Sequence, residues 1–236
     1  MKAMILAAGR GERMRPLTDA CPKPLLAVGG KPLIVWHLER LAAAGFTDVV
    51  INHAWLGERI ESALGDGRAF GLRITYSPEA PGGLETAGGI ATALPHLGEA
   101  PFLVINGDVW CDWDPGEATA LAARVDGRAC RAWLLLVDNP PQHPDGDFHL
   151  AAGTPVSAVH ADARVNGQRL TFSGIGIYHP GLLASIAPHT RARLAPLLRE
   201  AMAEDAVIGT RHDGRWVDVG TPARLTALDD DLRASH

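Results

Sequence analysis

Ala3-Met4-Ile5-Leu6-Ala7-Ala8-Gly9-Arg10-Gly11-Glu12-Arg13 opens the chain with an unbroken apolar run that gives way abruptly to glycine and charge. Such a run suits a strand buried on both faces of a parallel sheet, where no position has to meet water. The glycines that follow allow backbone N–H groups to approach an anion closely, because no Cβ stands in the way. Arg13 can grip phosphate oxygens in pairs, and Lys23, within Pro22-Lys23-Pro24-Leu25, adds a compact charge. Two other phosphate-binding patterns fail. A dinucleotide fingerprint needs a third glycine where Met14 stands, and a Walker loop needs Gly-Lys-Ser/Thr.

Outward from this loop, apolar runs alternate with helical stretches. Pro32 opens a helix over 33–41, ended by Gly45. Strands are expected at 48–52, 72–76 and 102–106, with helices at 56–64 and 85–94. Alternation of this kind implies right-handed βαβ units, so the loops after the first and fourth strands share the carboxyl edge of the sheet, where ligands bind. The second half reads as strands at 133–137, 148–151, 156–159 and 170–178, then helices at 180–186 and 194–202. A strand pair at 207–210 and 216–219 turns at Asp213-Gly214, a hairpin signal. Thr221-Pro222 caps a final helix. The expected fold is α/β: a Rossmann-like mixed, mainly parallel sheet with helices on both faces, to which the second half adds strands.

Composition narrows the function. The 236 residues are 47% hydrophobic, enough for one core and a single domain over 1–236. The formal net charge of -5 without a basic stripe argues against a nucleic-acid partner. No run approaches the roughly 20 apolar residues of a membrane span, so no membrane partner is expected. The opening apolar run is shorter than a signal h-region of roughly 7–15 residues. Three cysteines without CxxC spacing suit a reducing compartment, and a cytoplasmic location is expected.

Two aspartates carry the next signals. Asp108 follows Val104-Ile105-Asn106-Gly107, just past a buried strand at the carboxyl edge. It suits Mg²⁺, which takes oxygen ligands from few carboxylates and completes its shell with phosphate and water; in isolation it could instead cap a turn. Asp218 lies in the apolar Trp216-Val217-Asp218-Val219-Gly220-Thr221. A carboxylate there needs either a buried cationic side chain or a metal. The glycine-rich turn over 77–89 could present its backbone to a base edge, or simply start a helix. His37 and His53 read as ordinary surface or satisfied residues.

Leu6 to Thr18 has the form L-A-A-G-x-G-x-R-x-x-P-x-T, followed by P-K-P-L at Pro22–Leu25. It resembles the signature of the sugar-nucleotide pyrophosphorylase family of nucleotidyltransferases. The resemblance implies a Mg²⁺-dependent enzyme that joins a nucleoside triphosphate to a sugar 1-phosphate and releases pyrophosphate. It implies a nucleotide-binding half over 1–110 and a sugar-binding half over 111–236. Gly9, Gly11, Glu12, Arg13 and Lys23 would hold the triphosphate. Glu79, Leu84, Glu85 and Gly89 would meet the base, with Asn106 at the nucleotide and Asp108 and Asp218 on the metal. Lys23, Arg13 and Asp108 would be catalytic, offsetting the repulsion between two anionic substrates. Asp138, Gly146, Thr171 and Gly174 are the sugar candidates; Asp147 reads equally as an Asx-turn. Arg164, Arg191 and Arg193 are possible partners for a further anionic group.

Stretches at 51–57, 76–79, 106–110, 137–140, 146–148, 170–175 and 212–221 resemble a branch of the family that serves cell-wall recycling. That implies UTP and N-acetylmuramic acid 1-phosphate as the pair. The alternatives are mannose 1-phosphate with GTP, or glucose 1-phosphate with dTTP or UTP. A binding protein on the same fold could lose Lys23, Asp108 or Asp218; all three are present.

Overall fold

The computed structural model describes residues 1–163 and 166–234. The first half runs β1 (Ala3–Leu6), α1 (Leu17–Ala20), β2 (Ala27–Val28), β3 (Lys31–Pro32), α2 (Leu33–Ala43), β4 (Asp48–His53), α3 (Gly57–Leu64), β5 (Arg73–Pro78), α4 (Glu85–Leu97), β6 (Phe102–Asn106) and β7 (Val109–Cys111). The second adds α5 (Ala118–Ala122), β8 (Ala132–Val137), β9 (Phe148–Ala151), β10 (Ser157–His160), β11 (Gly167–Tyr178), α6 (Leu194–Ala203), β12 (Val207–Arg211), β13 (Trp216–Asp218) and α7 (Pro222–Ala234).

One sheet of nine strands runs through both halves in the order β5-β4-β1-β6-β11-β8-β12-β10-β9. It is mixed, as expected. Parallel pairing holds in β5-β4-β1-β6 and between β8 and β12, whereas β11 joins β6 and β8 antiparallel. Alternating side chains feed two cores. Ile5, Ile105 and Trp133 face Ile34, Leu38 and Ile60 of α2 and α3; Met4, Val104 and Leu134 face Ile90 of α4 and Leu198 of α6. Helices therefore cover both faces. A third cluster joins Met14, Val28, Trp110 and Val219 to Leu228 and Leu232 of α7, tying the last helix to the opening loop.

The structure corrects three expectations. Val207–Arg211 and Trp216–Asp218 do not form a hairpin: β12 lies beside β8 in the main sheet, and β13 pairs with β7. The Asp112 carboxylate accepts from the Arg215 N–H at 2.8 Å and contacts the His212 ring at 2.7 Å, so long-range bonds override the local turn signal. The stretch after Tyr178 is a short 3₁₀ turn, Pro180–Leu183, instead of a helix to residue 186. Asp147 makes no Asx-turn; its carboxylate accepts from the Phe172 N–H, 2.9 Å away on β11.

Candidate active site

A cleft of about 930 Å³ opens at the carboxyl edge of β1, β4, β5 and β6. Gly9, Gly11, Glu12, Arg13 and Lys23 line one side. Glu79, Leu84, Glu85, Asn106 and Asp108 line the rest. Arg191, one of the three arginines named as possible anion partners, also lines it, and residues not singled out from sequence complete the walls, among them Arg10, Asn52, Trp55 and Gly220.

The opening loop is braced from beneath. Gly11 has φ +68°, a left-handed conformation that favours glycine, and its carbonyl accepts from the Thr18 hydroxyl at 2.9 Å. The Thr18 carbonyl in turn accepts from Arg10 at 3.1 Å and from the Trp55 indole at 2.9 Å, while the Arg10 guanidinium stacks 3.5 Å above the Trp55 ring. Arg13 is exposed and makes no ion pair among the described residues, so its guanidinium is available to an anion.

Lys23 is buried, and its Nζ donates to Asp108 Oδ2 at 2.6 Å. Asp108 lies between β6 and β7, and its carbonyl accepts from the Val219 N–H at 3.0 Å. That bond continues the β7–β13 ladder, in which Asp218 faces Val109. Two stretches 110 residues apart in sequence are thereby brought side by side. Asp218 does have a cationic partner: Arg224 of α7, 2.9 Å from Oδ2. Asp218 is not itself a lining residue. Its Oδ1 and the Arg13 guanidinium each lie 3.1 Å from where a Cβ on the lining Gly220 would stand, and Arg224 crowds the same point. Each aspartate keeps Oδ1 free of a protein partner among the described residues, a hard oxygen donor set of the kind Mg²⁺ takes.

The opposite wall centres on Glu79. Gly89 does not line the cleft but stands behind this carboxylate: a Cβ there would lie 2.5 Å from Glu79 Oε1. Helix α4 starts at this wall because the Ala87 and Gly88 N–H groups donate to the Ala192 carbonyl at 3.0 and 3.1 Å. Glu85, at φ +60°, is the strained entry to the helix. Arg191 lines the cleft and pairs with Glu85 at 3.0 Å; Arg193 stands 3.9 Å from the same oxygen.

The sugar candidates are scattered. Gly174, at φ +82°, packs against the lining Asn106 but does not itself line the cleft. Asp138 opens instead on a second hollow of about 390 Å³, where Arg211 pairs with it at 3.0 Å and with Asp213 at 2.9 Å. Gly146 and Thr171 line neither: Thr171 donates to Asn139 Oδ1 at 2.9 Å, and a Cβ on Gly146 would meet that oxygen. Both belong to the framework of the 139–147 loop. Arg164 lies outside the described residues.

His37 and His53 are satisfied, though buried. His37 Nε2 bonds the Val109 carbonyl at 2.8 Å, and burial lowers its pKa to about 4; His53 bonds Glu61 at 2.7 Å. Sequence reading also missed the grouping of Cys111, Asp112 and His212, with donor atoms within 4.8 Å of one another. The Asp112 oxygen is committed to Arg215 and His212, and burial pushes the Cys111 thiol up to about 11. All three cysteines are free.

A glycine-rich loop after β1, a buried lysine paired with a carboxylate, and a second aspartate carried in by a strand distant in sequence meet at this edge of the sheet. The chain belongs to the nucleotidyl transferase family, whose model matches residues 2–148. It is 59% identical over 225 residues to the N-acetylmuramate alpha-1-phosphate uridylyltransferase of Neisseria meningitidis serogroup B, covering 95% of each chain. It is 37% identical over 232 residues to the protein of the same name from Caulobacter vibrioides, covering 95% of this chain and 94% of that one. The fold matches a putative glucose-1-phosphate thymidylyltransferase from Bacillus anthracis with a TM-score of 0.82 at 22% identity, over 99% of this chain and 95% of that one.

Proposed function

We propose that this chain joins UTP to N-acetylmuramic acid 1-phosphate, forming UDP-N-acetylmuramic acid and pyrophosphate. The observation that supports the reading best is the meeting of Lys23, Asp108, Arg13 and the Asp218 loop at one edge of the cleft, in a chain 59% identical to a uridylyltransferase for this sugar phosphate. In this reading Arg13 and Lys23 hold the triphosphate and offset its charge as the sugar phosphate oxygen approaches the α-phosphorus. The Gly9–Gly11 backbone lies against the phosphates, and the Glu79 wall takes the base.

Asp108 and Asp218 would hold Mg²⁺. When bound, the cation screens the phosphates and templates their alignment. No side-chain nucleophile takes part. The sugar would extend from the cleft toward Gly174 and Asn106. The reading places the protein in the cytoplasm; no helix among the described residues is long and apolar enough to cross a membrane.

The test is pyrophosphate release by purified protein with Mg²⁺, the common nucleoside triphosphates and a panel of sugar 1-phosphates. The highest kcat/KM is expected for UTP with N-acetylmuramic acid 1-phosphate. A preference for GTP with mannose 1-phosphate would replace that substrate pair.

A further inference from the structure

Two elements, β4 and the start of α4, hold the Glu79 side chain, and the end of β1 acts on it through Asn52. The Ala7 N–H, at the end of β1, donates to Asn52 Oδ1 at 3.0 Å. That bond sets the Asn52 amide, since only its oxygen can face an N–H donor. Its Nδ2 must then face Glu79, and donates to Oε1 at 2.6 Å. The Leu84 N–H, at the start of α4, donates to Oε2 at 2.7 Å. Asn52 is 3% exposed on β4, and Gly89 leaves the room that the carboxylate fills. Each Glu79 oxygen thus has one protein donor, and both residues line the cleft.

A carboxylate held in this way can only accept. It suits a base that presents a ring N–H on its pairing edge, as uracil, thymine and guanine do. It opposes cytosine and adenine, whose ring nitrogens at that position are bare acceptors. We infer that Asn52 is a specificity-determining positioning residue: by clamping Glu79 between β4 and α4 it makes the cleft select nucleotides whose base carries a ring N–H. The inference rests on the proposed nucleotide site, with the base on the Glu79 wall.

The test compares wild type with three variants, reading KM and kcat for UTP and CTP and calorimetric binding of UTP and inorganic tripolyphosphate. Asn52→Asp keeps the acceptor for Ala7 but sets a carboxylate against Glu79. Asn52→Ser keeps a small polar group but is too short to reach Glu79, and is read in the same way should Asn52→Asp not fold. In Asn52→Asp/Glu79→Gln the bond is rebuilt with reversed polarity.

The single variants are expected to raise the UTP KM about tenfold or more with kcat within about twofold, the pattern of lost uniform binding. They should narrow the preference for UTP over CTP and leave tripolyphosphate binding unchanged. The double variant should recover most of the UTP KM. An unchanged UTP KM in the single variants, or equal losses in UTP and tripolyphosphate binding, would overturn the inference, as would a double variant no better than Asn52→Asp. Wild-type protein binding UTP no more tightly than tripolyphosphate would instead remove the base site itself.

Discussion

Lys23 Nζ and Asp108 Oδ2 stand 2.6 Å apart, with the lysine side chain 8% exposed and the aspartate 40% exposed. The pair is asymmetric: the ammonium is committed to the protein, whereas the carboxylate still faces the cleft. In the proposed reading the buried lysine meets a substrate phosphate as a fixed charge that need not reorganise during reaction.

Replacing that ammonium should separate activity from stability. In Lys23→Met, kcat/KM for pyrophosphate formation is expected to fall by about 10² to 10³, the usual cost of one preorganised electrostatic contact. Asp108 stays hydrated, so the stability loss should be about 1 kcal/mol. Steady-state kinetics and thermal melting check both. A near-normal kcat/KM would remove Lys23 from the transition state.

Metal removal should silence the enzyme without loosening the fold. Lys23 and Arg224 balance Asp108 and Asp218, so no unpaired buried charge is left by chelation. EDTA is expected to abolish pyrophosphate release and to leave Tm within about 2 °C. A large fall in Tm would show that the carboxylates depend on the cation for folding.

Gly89→Ala probes the base wall from behind. The added methyl would lie 2.5 Å from Glu79 Oε1 and 2.8 Å from Asn52 Nδ2. The end of the Glu79 side chain can leave its Asn52 and Leu84 donors and turn into the cleft, so the fold should survive while the carboxylate loses its place. UTP affinity measured by calorimetry should drop about tenfold or more, a loss of about 1.4 kcal/mol. Unaltered affinity would place the base elsewhere.

His37 predicts a pH dependence of stability. Burial lowers its pKa from 6.5 to about 4, so between those values the unfolded chain holds a proton that the folded chain does not. Stability therefore falls as pH drops through this window and is fully present above it, by about 3 kcal/mol in all. His37→Gln, whose amide can still donate to the Val109 carbonyl, should flatten that part of the urea-denaturation profile. An unchanged slope would assign it to other groups.

Much of the site was legible because the sheet edge is a local consequence of sequence. The run Ala3–Ala8 and the strand before Asp108 are each apolar enough to be placed centrally, and parallel pairing then puts their following loops together. Asn52 was missed because its role is visible only through Ala7 and Glu79, which directly follow other strands. Trp55 and Arg10 were missed for the same reason: their stacking joins two loops. The false hairpin at Asp213-Gly214 arose because a local turn signal cannot report that Asp112, 103 positions before Arg215, holds the second strand against β7. Gly146 and Thr171 look like sugar ligands by analogy, but here they support a loop through Asn139.

The most direct test of the account sets turnover against binding in Asp108→Ala. Pyrophosphate release with UTP, N-acetylmuramic acid 1-phosphate and Mg²⁺ is expected to fall by about 10³ or more, while UTP still binds in the absence of metal because Lys23, Arg13 and the Glu79 wall remain. Turnover at the wild-type rate in that variant would contradict the assignment of this cleft as the place where the nucleotide is transferred.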